Sequence, residues 1–254
     1  MTLDTHKGRP RVGVVGTGRL GTALAAALRG AGYTVDGPAR RGQVPAGDAI
    51  LICVPDDEIA NAAATVAGAA PLVGHTSGAT PLSALQPAAR AGAALFGLHP
   101  LQTFSAAAGE FDGAGCAIAG TTQEALALAR RLAIDLGMTP FEIDDQARPA
   151  YHAAASMASN FLVTLQAAAE RVALAAGLEP PDARRLLAPL VRRSVDNWAG
   201  LGPEAALTGP IARGDERTVE AQRQAVAAAA PELLDLFDEL ARQTRALARQ
   251  KVPA

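Results

Sequence analysis

Apolar residues follow two patterns along this chain, and the change from one to the other divides it. Up to Ile143, short runs rich in valine, isoleucine and leucine alternate with stretches of helical spacing. The expected strands are Arg11–Gly16, Tyr33–Ala39, Ala49–Val54, Leu72–Ser77, Ala94–Leu98, Cys116–Ala119 and Phe141–Ile143. Val12–Val15 and Ile50–Val54 are apolar without alternation, the pattern of strands covered on both faces in a parallel sheet. Between the strands lie helix-compatible segments, among them Leu20–Arg29, Glu58–Val66, Pro81–Arg90 and Gln123–Leu136. Thr80 before Pro81 reads as an N-cap followed by proline at the first helical position. Asp56 and Asp57 place negative charge at the start of another helix. This repeated order predicts an α/β fold, a doubly wound parallel Rossmann sheet.

Beyond Asp144 the pattern becomes helical throughout. Tyr151–Ala176 reads as one long helix closed by Gly177. Pro181–Asn197 and Glu216–Ala230 follow. Pro231 then opens a terminal amphipathic helix whose Leu233, Leu236, Phe237 and Leu240 share one face. The change of period near residues 144–149 predicts a Rossmann domain over residues 1–146 and an all-α C-terminal domain over 147–254.

Composition narrows the classes. The chain has 254 residues, 49% of them hydrophobic and 19% charged, a globular balance long enough to bury a core without staples. Its formal charge of −2 offers no basic excess for nucleic acid or an anionic membrane. Apolar runs such as Ala49–Val54 and Ala225–Ala230 are far shorter than the ~18 residues of a membrane span. The polar start, Met1–Pro10, lacks the apolar core of a secretory signal. Cys53 and Cys116 form no CxxC pair and suggest no disulfide scaffold. A cytoplasmic protein is expected.

Gly16-Thr17-Gly18-Arg19-Leu20-Gly21 matches GxGxxG. The string alone is weak, but here it follows an apolar strand and opens a helix. Gly16 would permit the tight turn, Gly18 would let a pyrophosphate approach the backbone, and Gly21 would let helix and strand pack closely. The helix start adds unpaired N–H groups for the phosphates. NAD sites usually carry an acid about 20 residues past the loop, on the ribose 2′-hydroxyl. Asp36 lies at about that distance. If the strand runs to Ala39, however, Asp36 falls inside it and Arg40 takes the ribose end, with Arg41 beside it. A guanidinium there suits a 2′-phosphate, so NADP(H) is expected over NAD(H). The alternative is a solvated loop.

With these residues in view, the chain resembles a known family. The resemblance rests on the glycine loop with Val14 and Val15 before it, and on Cys53-Val54-Pro55-Asp56 and His75-Thr76-Ser77-Gly78. It continues in Leu98-His99-Pro100-Leu101-Gln102-Thr103-Phe104, in His152 to Asn160, and in Leu207-Thr208-Gly209-Pro210-Ile211-Ala212-Arg213-Gly214-Asp215. The family joins a Rossmann-like domain to a helical domain of unknown function, the domain of unknown function 2520. Its relatives are the 6-phosphogluconate dehydrogenase-like and ketopantoate reductases. The resemblance implies an NAD(P)-dependent oxidoreductase, usually a homodimer, with its active site between the two domains. Some members resemble a ketopantoate reductase, which makes 2-dehydropantoate the leading oxo acid.

Reducing a carbonyl or imine needs a placed nicotinamide, a proton donor, and hydrogen bonds to the atom gaining electron density. Val54, Pro55 and Ser77 sit where strands should emerge at the carboxyl edge, beside the cofactor. His152, Ser156 and Asn160 are spaced i, i+4, i+8, one stripe of the expected long helix over roughly 12 Å. Related reductases place a lysine at the start of such a stripe and an asparagine one turn later. Here histidine and serine stand instead. His152 is cast as donor, with Ser156 and Asn160 orienting the substrate; the alternative is a histidine capping a domain interface. His99, before Pro100 at a strand exit, competes for the donor role. Gln102 and Thr208 could touch substrate. Arg213 could clamp its carboxylate, or its loop could simply lead into a helix capped by Asp215. No metal site is expected, since histidines and cysteines lack zinc spacing. Two further readings stay open: an imine reductase of the pyrroline-carboxylate type, and a non-catalytic dinucleotide sensor.

Overall fold

The computed structural model describes residues 8–104 and 111–250. Seven strands form one sheet: β1 (Val12–Val15), β2 (Val35–Ala39), β3 (Ala49–Ile52), β4 (Leu72–His75), β5 (Ala94–Pro100), β6 (Gly115–Gly120) and β7 (Thr139–Glu142). Their order is β2-β1-β3-β4-β5-β6-β7. All seven lie where the apolar runs place them. β1 and β3 are buried along their whole length, which explains why neither alternates. One expectation needs correcting: the sheet is mostly rather than wholly parallel, because β6 runs antiparallel to β5. The described residues of the β5–β6 connection include no crossover helix, and without one the chain returns beside the strand it has just left.

Helices α1 (Arg19–Gly30), α2 (Ile59–Thr65), α3 (Gln86–Arg90) and α4 (Gln123–Asp135) connect the strands. Leu24 and Leu28 of α1 and Leu128 and Leu132 of α4 enter one apolar core with Val12, Leu51 and Phe96. Ile59 and Ala63 of α2 enter a second with Ile50, Ile52 and Leu95. Thr122 caps α4 by accepting from the Ala125 N–H at 3.1 Å. Thr80 does not cap a helix. Its N–H, like that of Ala79, is held by the Ser77 hydroxyl, and the chain makes a 3-10 turn over Leu82–Leu85 before α3. The order of strands reverses at β1, so the switch point, where ligands enter such sheets, falls between the ends of β1 and β3.

After β7 only helices follow: α5 (Arg148–Ala158), α6 (Asn160–Leu174), α7 (Pro180–Leu201), the single turn α8 (Pro203–Ala206), α9 (Glu216–Ala229) and α10 (Leu234–Arg249). The expected long helix Tyr151–Ala176 is two helices, interrupted at Ser159, where φ is −115° and ψ −75°. The described residues fall into two compact units that part between Ser159 and Asn160, later than the 146/147 boundary expected from the change of period. Side chains explain the delay. Arg148 and Tyr151, in the first turns of α5, are bonded to residues of the sheet edge, and α5 therefore belongs to the sheet unit.

In the second unit, Gly177 closes the segment after α6 with φ +79°, the Leu178 N–H reaching the Ala173 carbonyl. Asp215 caps α9 through the Thr218 N–H at 3.1 Å. Bidentate pairs Arg184–Glu170 and Arg223–Asp238 tie α7 to α6 and α9 to α10. Among the described residues no helix is long and apolar enough to cross a membrane. Cys53 and Cys116 are free and buried.

Candidate active site

The glycine loop is crowded at Gly16 and Gly21, as its spacing predicts, and open at Gly18. Gly16 adopts φ +110°, and a Cβ there would lie 2.1 Å from the Cys53 carbonyl oxygen at the end of β3. A Cβ on Gly21 would lie 2.0 Å from the Gly16 oxygen, so strand and helix touch through hydrogen alone. Gly18 is the opposite case. Nothing lies within 4 Å of its would-be side chain, and it precedes α1 without a side-chain cap or an acid in the first turn. The start of α1 is therefore open at Gly18, and its first N–H groups have no side-chain cap. Thr17, Arg19 and Leu20 complete this loop, with Thr17 offering its carbonyl to the Thr22 hydroxyl. Val54 packs at its rim, and Pro55 leads into a short turn over Asp56–Glu58.

β2 runs to Ala39, so Asp36 lies inside it, opposite Gly13. Its carboxylate is engaged by the Ala46 N–H at 2.8 Å and by Arg11 at 3.3 Å. Arg40 then follows the strand end. Arg41 pairs with Glu58 at 2.9 Å, whereas the Arg40 guanidinium has no ion pair among the described residues. Among the described residues the Asp36 carboxylate is engaged and the Arg40 guanidinium has no ion pair.

Three and four strand spacings from β2, roughly 14 and 19 Å along the sheet, β4 and β5 deliver two histidines. His75 is fully buried. Its Nδ1 accepts the Ser77 N–H at 3.2 Å, and its Nε2 has no hydrogen-bond partner among the described residues. Burial first, and then the Arg148 charge, push its pKa down to about 4. His99 is partly buried near the end of β5, and its Nδ1 lies 2.6 Å from the Tyr151 hydroxyl. A Cβ on Gly78 would lie 2.7 Å from the imidazole, so the ring occupies space that only glycine leaves open. Burial, then the charges of His152 and Arg148, push His99 down to about 4 as well. Burial raises the Tyr151 phenol to about 12. Both members of the pair are neutral at pH 7.

Arg148 organises this corner. Its guanidinium is 2% exposed, pairs with Asp145 at 2.6 Å and donates to the Ser77 carbonyl at 3.3 Å. Asp145 also accepts the Leu82 N–H at 3.0 Å, fixing the turn after β4. Neither Arg148, Tyr151 nor Asp145 was expected from the sequence. Asp145 and Arg148 stand at i and i+3, a pairing signal that sequence can show, but the burial of Arg148 has no local signature. Gly97, whose Cβ would lie 3.0 Å from Arg148 Nη2, marks the close approach.

The other expected residues divide between the units. His152 is exposed, its ring centroid 6.3 Å from that of His99, and Ser156 lies one turn further along α5. Asn160 opens the second unit after the break at Ser159, so the three do not form one stripe on one continuous helix. Ser77 spends its oxygen on the turn to Thr80. Gln102 accepts the Thr103 N–H at 2.8 Å. Thr208 and Arg213 are exposed in the second unit, with Arg213 ending a short turn before the Asp215 cap. Among the described residues no cluster of metal-ligating side chains occurs.

The family model described as a domain of unknown function (DUF2520) matches residues 114–244. No curated protein matches the chain. Several solved structures share its fold. The "putative NADP oxidoreductase BF3122" of Bacteroides fragilis has 21% identity and a TM-score of 0.78, over 94% of this chain and 98% of its own. TM1727 of Thermotoga maritima has 25% identity and a TM-score of 0.74 over the same shares. The Plasmodium falciparum pyrroline carboxylate reductase, solved with NADP bound, has 11% identity and a TM-score of 0.60, over 95% and 100%.

Proposed function

This chain belongs to the DUF2520 family, and we propose that it is an NADP-dependent oxidoreductase reducing a small imine or oxo acid by hydride transfer. The carrying observation is the glycine loop: crowded at Gly16 and Gly21, open at Gly18, and placed at the switch point of the sheet. That geometry has a physical use only if something approaches the backbone at Gly18. NADP(H) is preferred over NAD(H) because Asp36 is occupied within β2, while Arg40 just beyond its end has no ion pair among the described residues. A reduced nicotinamide bound here would supply the hydride; the protein's own part is to place the acceptor and deliver a proton. His99 and His152 stand at the edge where that proton is needed.

Among substrates, a cyclic imine bearing a carboxylate is favoured. The Bacteroides and Plasmodium proteins carry NADP in their names, and the second reduces a pyrroline carboxylate. 2-Dehydropantoate and the ketopantoate reductase likeness draw no support from these comparisons. Arg213 is exposed in the second unit and has no ion pair among the described residues. The second unit leaves Phe161, Val163, Leu190 and Trp198 more than half exposed. A homodimer through these faces is part of the proposal, and a monomer by sedimentation at micromolar concentration would remove it.

The deciding experiment follows NADPH and NADH oxidation with 1-pyrroline-2-carboxylate and with pyruvate as probes. NADPH oxidation faster with the imine is expected. Tight NADPH binding without turnover on either probe would convert the reading to a dinucleotide sensor. Absence of binding to either nucleotide would end it.

A further inference from the structure

The contact between Tyr151 and His99 belongs to none of the roles assigned so far. We infer that the two residues form a proton-delivery pair: the Tyr151 hydroxyl holds His99 in its Nε2–H tautomer and replaces the proton that Nε2 gives to the reduced substrate. This rests on the oxidoreductase reading above.

The tautomer follows from the hydrogen bond. The Tyr151 oxygen lies 2.6 Å from His99 Nδ1, its only hydrogen-bond partner among the described residues. A neutral phenol has one proton to donate and a neutral imidazole has one bare nitrogen to receive it. The phenol is the more acidic partner and the bare imidazole nitrogen the better acceptor, so of the two directions this contact admits the pair takes O–H to Nδ1, with the imidazole proton on Nε2. The ring is held from several sides. Tyr151 meets it edge-on with centroids 5.5 Å apart, Phe141 braces Tyr151 at 5.9 Å, and the backbone of Gly78 lies where any larger residue would displace it.

The charges then decide what kind of donor this is. His152 and Arg148 oppose a positive charge on His99, Asp56 favours one, and burial outweighs them all, so the ring stays neutral. A neutral imidazole cannot release its Nε2 proton without leaving an anion unless Nδ1 gains a proton in the same step. Tyr151 is placed to supply that proton. As hydride reaches the substrate carbon, the π electron pair moves to the nitrogen or oxygen, which takes the Nε2 proton. Nδ1 takes the phenolic proton, and the ring remains neutral with its tautomer inverted. The phenolate takes the Nδ1 proton back through the same bond as Nε2 recovers one from solvent, so the pair regains the single proton it gave and its starting tautomer. In this scheme His99 is the catalytic residue and Tyr151 the positioning one. His152, exposed and without a hydrogen bond among the described residues, lies outside the pair.

The test pairs kinetics with a direct view of the ring. With only four histidines in the chain, the 15N imidazole spectrum at pH 7 can be assigned by single substitution. The Nε2–H form is expected for His99 in the wild type and a mixture of tautomers in Tyr151→Phe, which keeps the ring packing. With 1-pyrroline-2-carboxylate and NADPH, Tyr151→Phe should lower kcat about 100-fold while leaving the NADPH Kd within about twofold. His99→Gln keeps an N–H donor but cannot pass a proton, and should lose as much. An Nδ1–H or charged His99 in the wild type overturns the pair, as does a Tyr151→Phe enzyme with unchanged kcat. A wild type that binds no NADPH overturns the functional reading instead, and the tautomer remains measurable on its own.

Discussion

Lowering the pH from 7 to 5 puts the packing around β4 and β5 under a defined load, because His75 and His99 are both held neutral there. Each has its pKa pushed down to about 4 from an unfolded value of 6.5, burial being the main cause. Between those values the unfolded chain binds one more proton at each histidine than the folded one. Stability from this source is therefore complete above pH 6.5 and falls as the pH falls towards 4. The slope is about 1.4 kcal/mol per pH unit for each histidine. By pH 5 the loss is about 2 kcal/mol apiece, or about 4 for the two taken as independent. Against a typical total of 5–15 kcal/mol that is a large fraction. Carboxylates also weaken the fold in acid, but lower down. Glu239, held at about 2 by Arg242, gives up its share only as the pH falls below its ordinary value of 4.5. The assay is urea denaturation from pH 4.5 to 8 on wild type, His75→Asn and His99→Asn. Tyr33 and Tyr151 both lie in the first unit, so near-ultraviolet dichroism of tyrosine can follow that unit. Subtracting each variant from wild type should leave a difference that climbs about 1.4 kcal/mol per unit up to pH 6 and levels off above 7. Parallel curves across the whole range would refute the burial argument for that histidine.

Two further substitutions separate folding from binding in the glycine loop. Gly21→Ala forces a methyl against the Gly16 carbonyl and should cost about 1–3 kcal/mol in urea denaturation. Gly18→Ala, placed in open space, should keep its melting temperature and weaken NADPH binding in calorimetry; unchanged affinity would count against a phosphate at that position. Arg40→Ala should weaken NADPH about tenfold or more, the worth of a charge-assisted hydrogen bond, and leave NADH within about twofold. Equal losses for both nucleotides would remove Arg40 from the 2′-phosphate.

How far the sequence anticipated this molecule depended on the range of the interaction involved. The strands were legible because Val12–Val15 and Ala49–Ile52 are buried on both faces and must be apolar at every position. The glycine loop was legible because each contact it avoids lies within one strand-turn-helix unit or the neighbouring strand. β2 ends at Ala39, the strand end on which the expectation of Arg40 rather than Asp36 rested. What escaped was set by distant neighbours. The direction of β6 depends on how the chain returns after β5, and the break at Ser159 interrupts a stretch of uniformly good helix formers. Thr80 looked like a cap only because Ser77, three residues earlier, was not known to hold its N–H. Arg148 and Tyr151 looked like ordinary surface residues opening a helix, yet each completes an arrangement begun about 50 to 70 residues earlier.

Arg148 leaves little freedom for change. The same guanidinium fastens the turn after β4, lies against the glycine backbone of β5 and lends the charge that helps keep two imidazoles unprotonated. Acid strength at His99 and the integrity of the sheet edge are therefore inherited as one trait. A lineage or a designer wishing to retune the first must look to His152, whose exposed ring lies 6.3 Å from that of His99 and makes no hydrogen bond among the described residues.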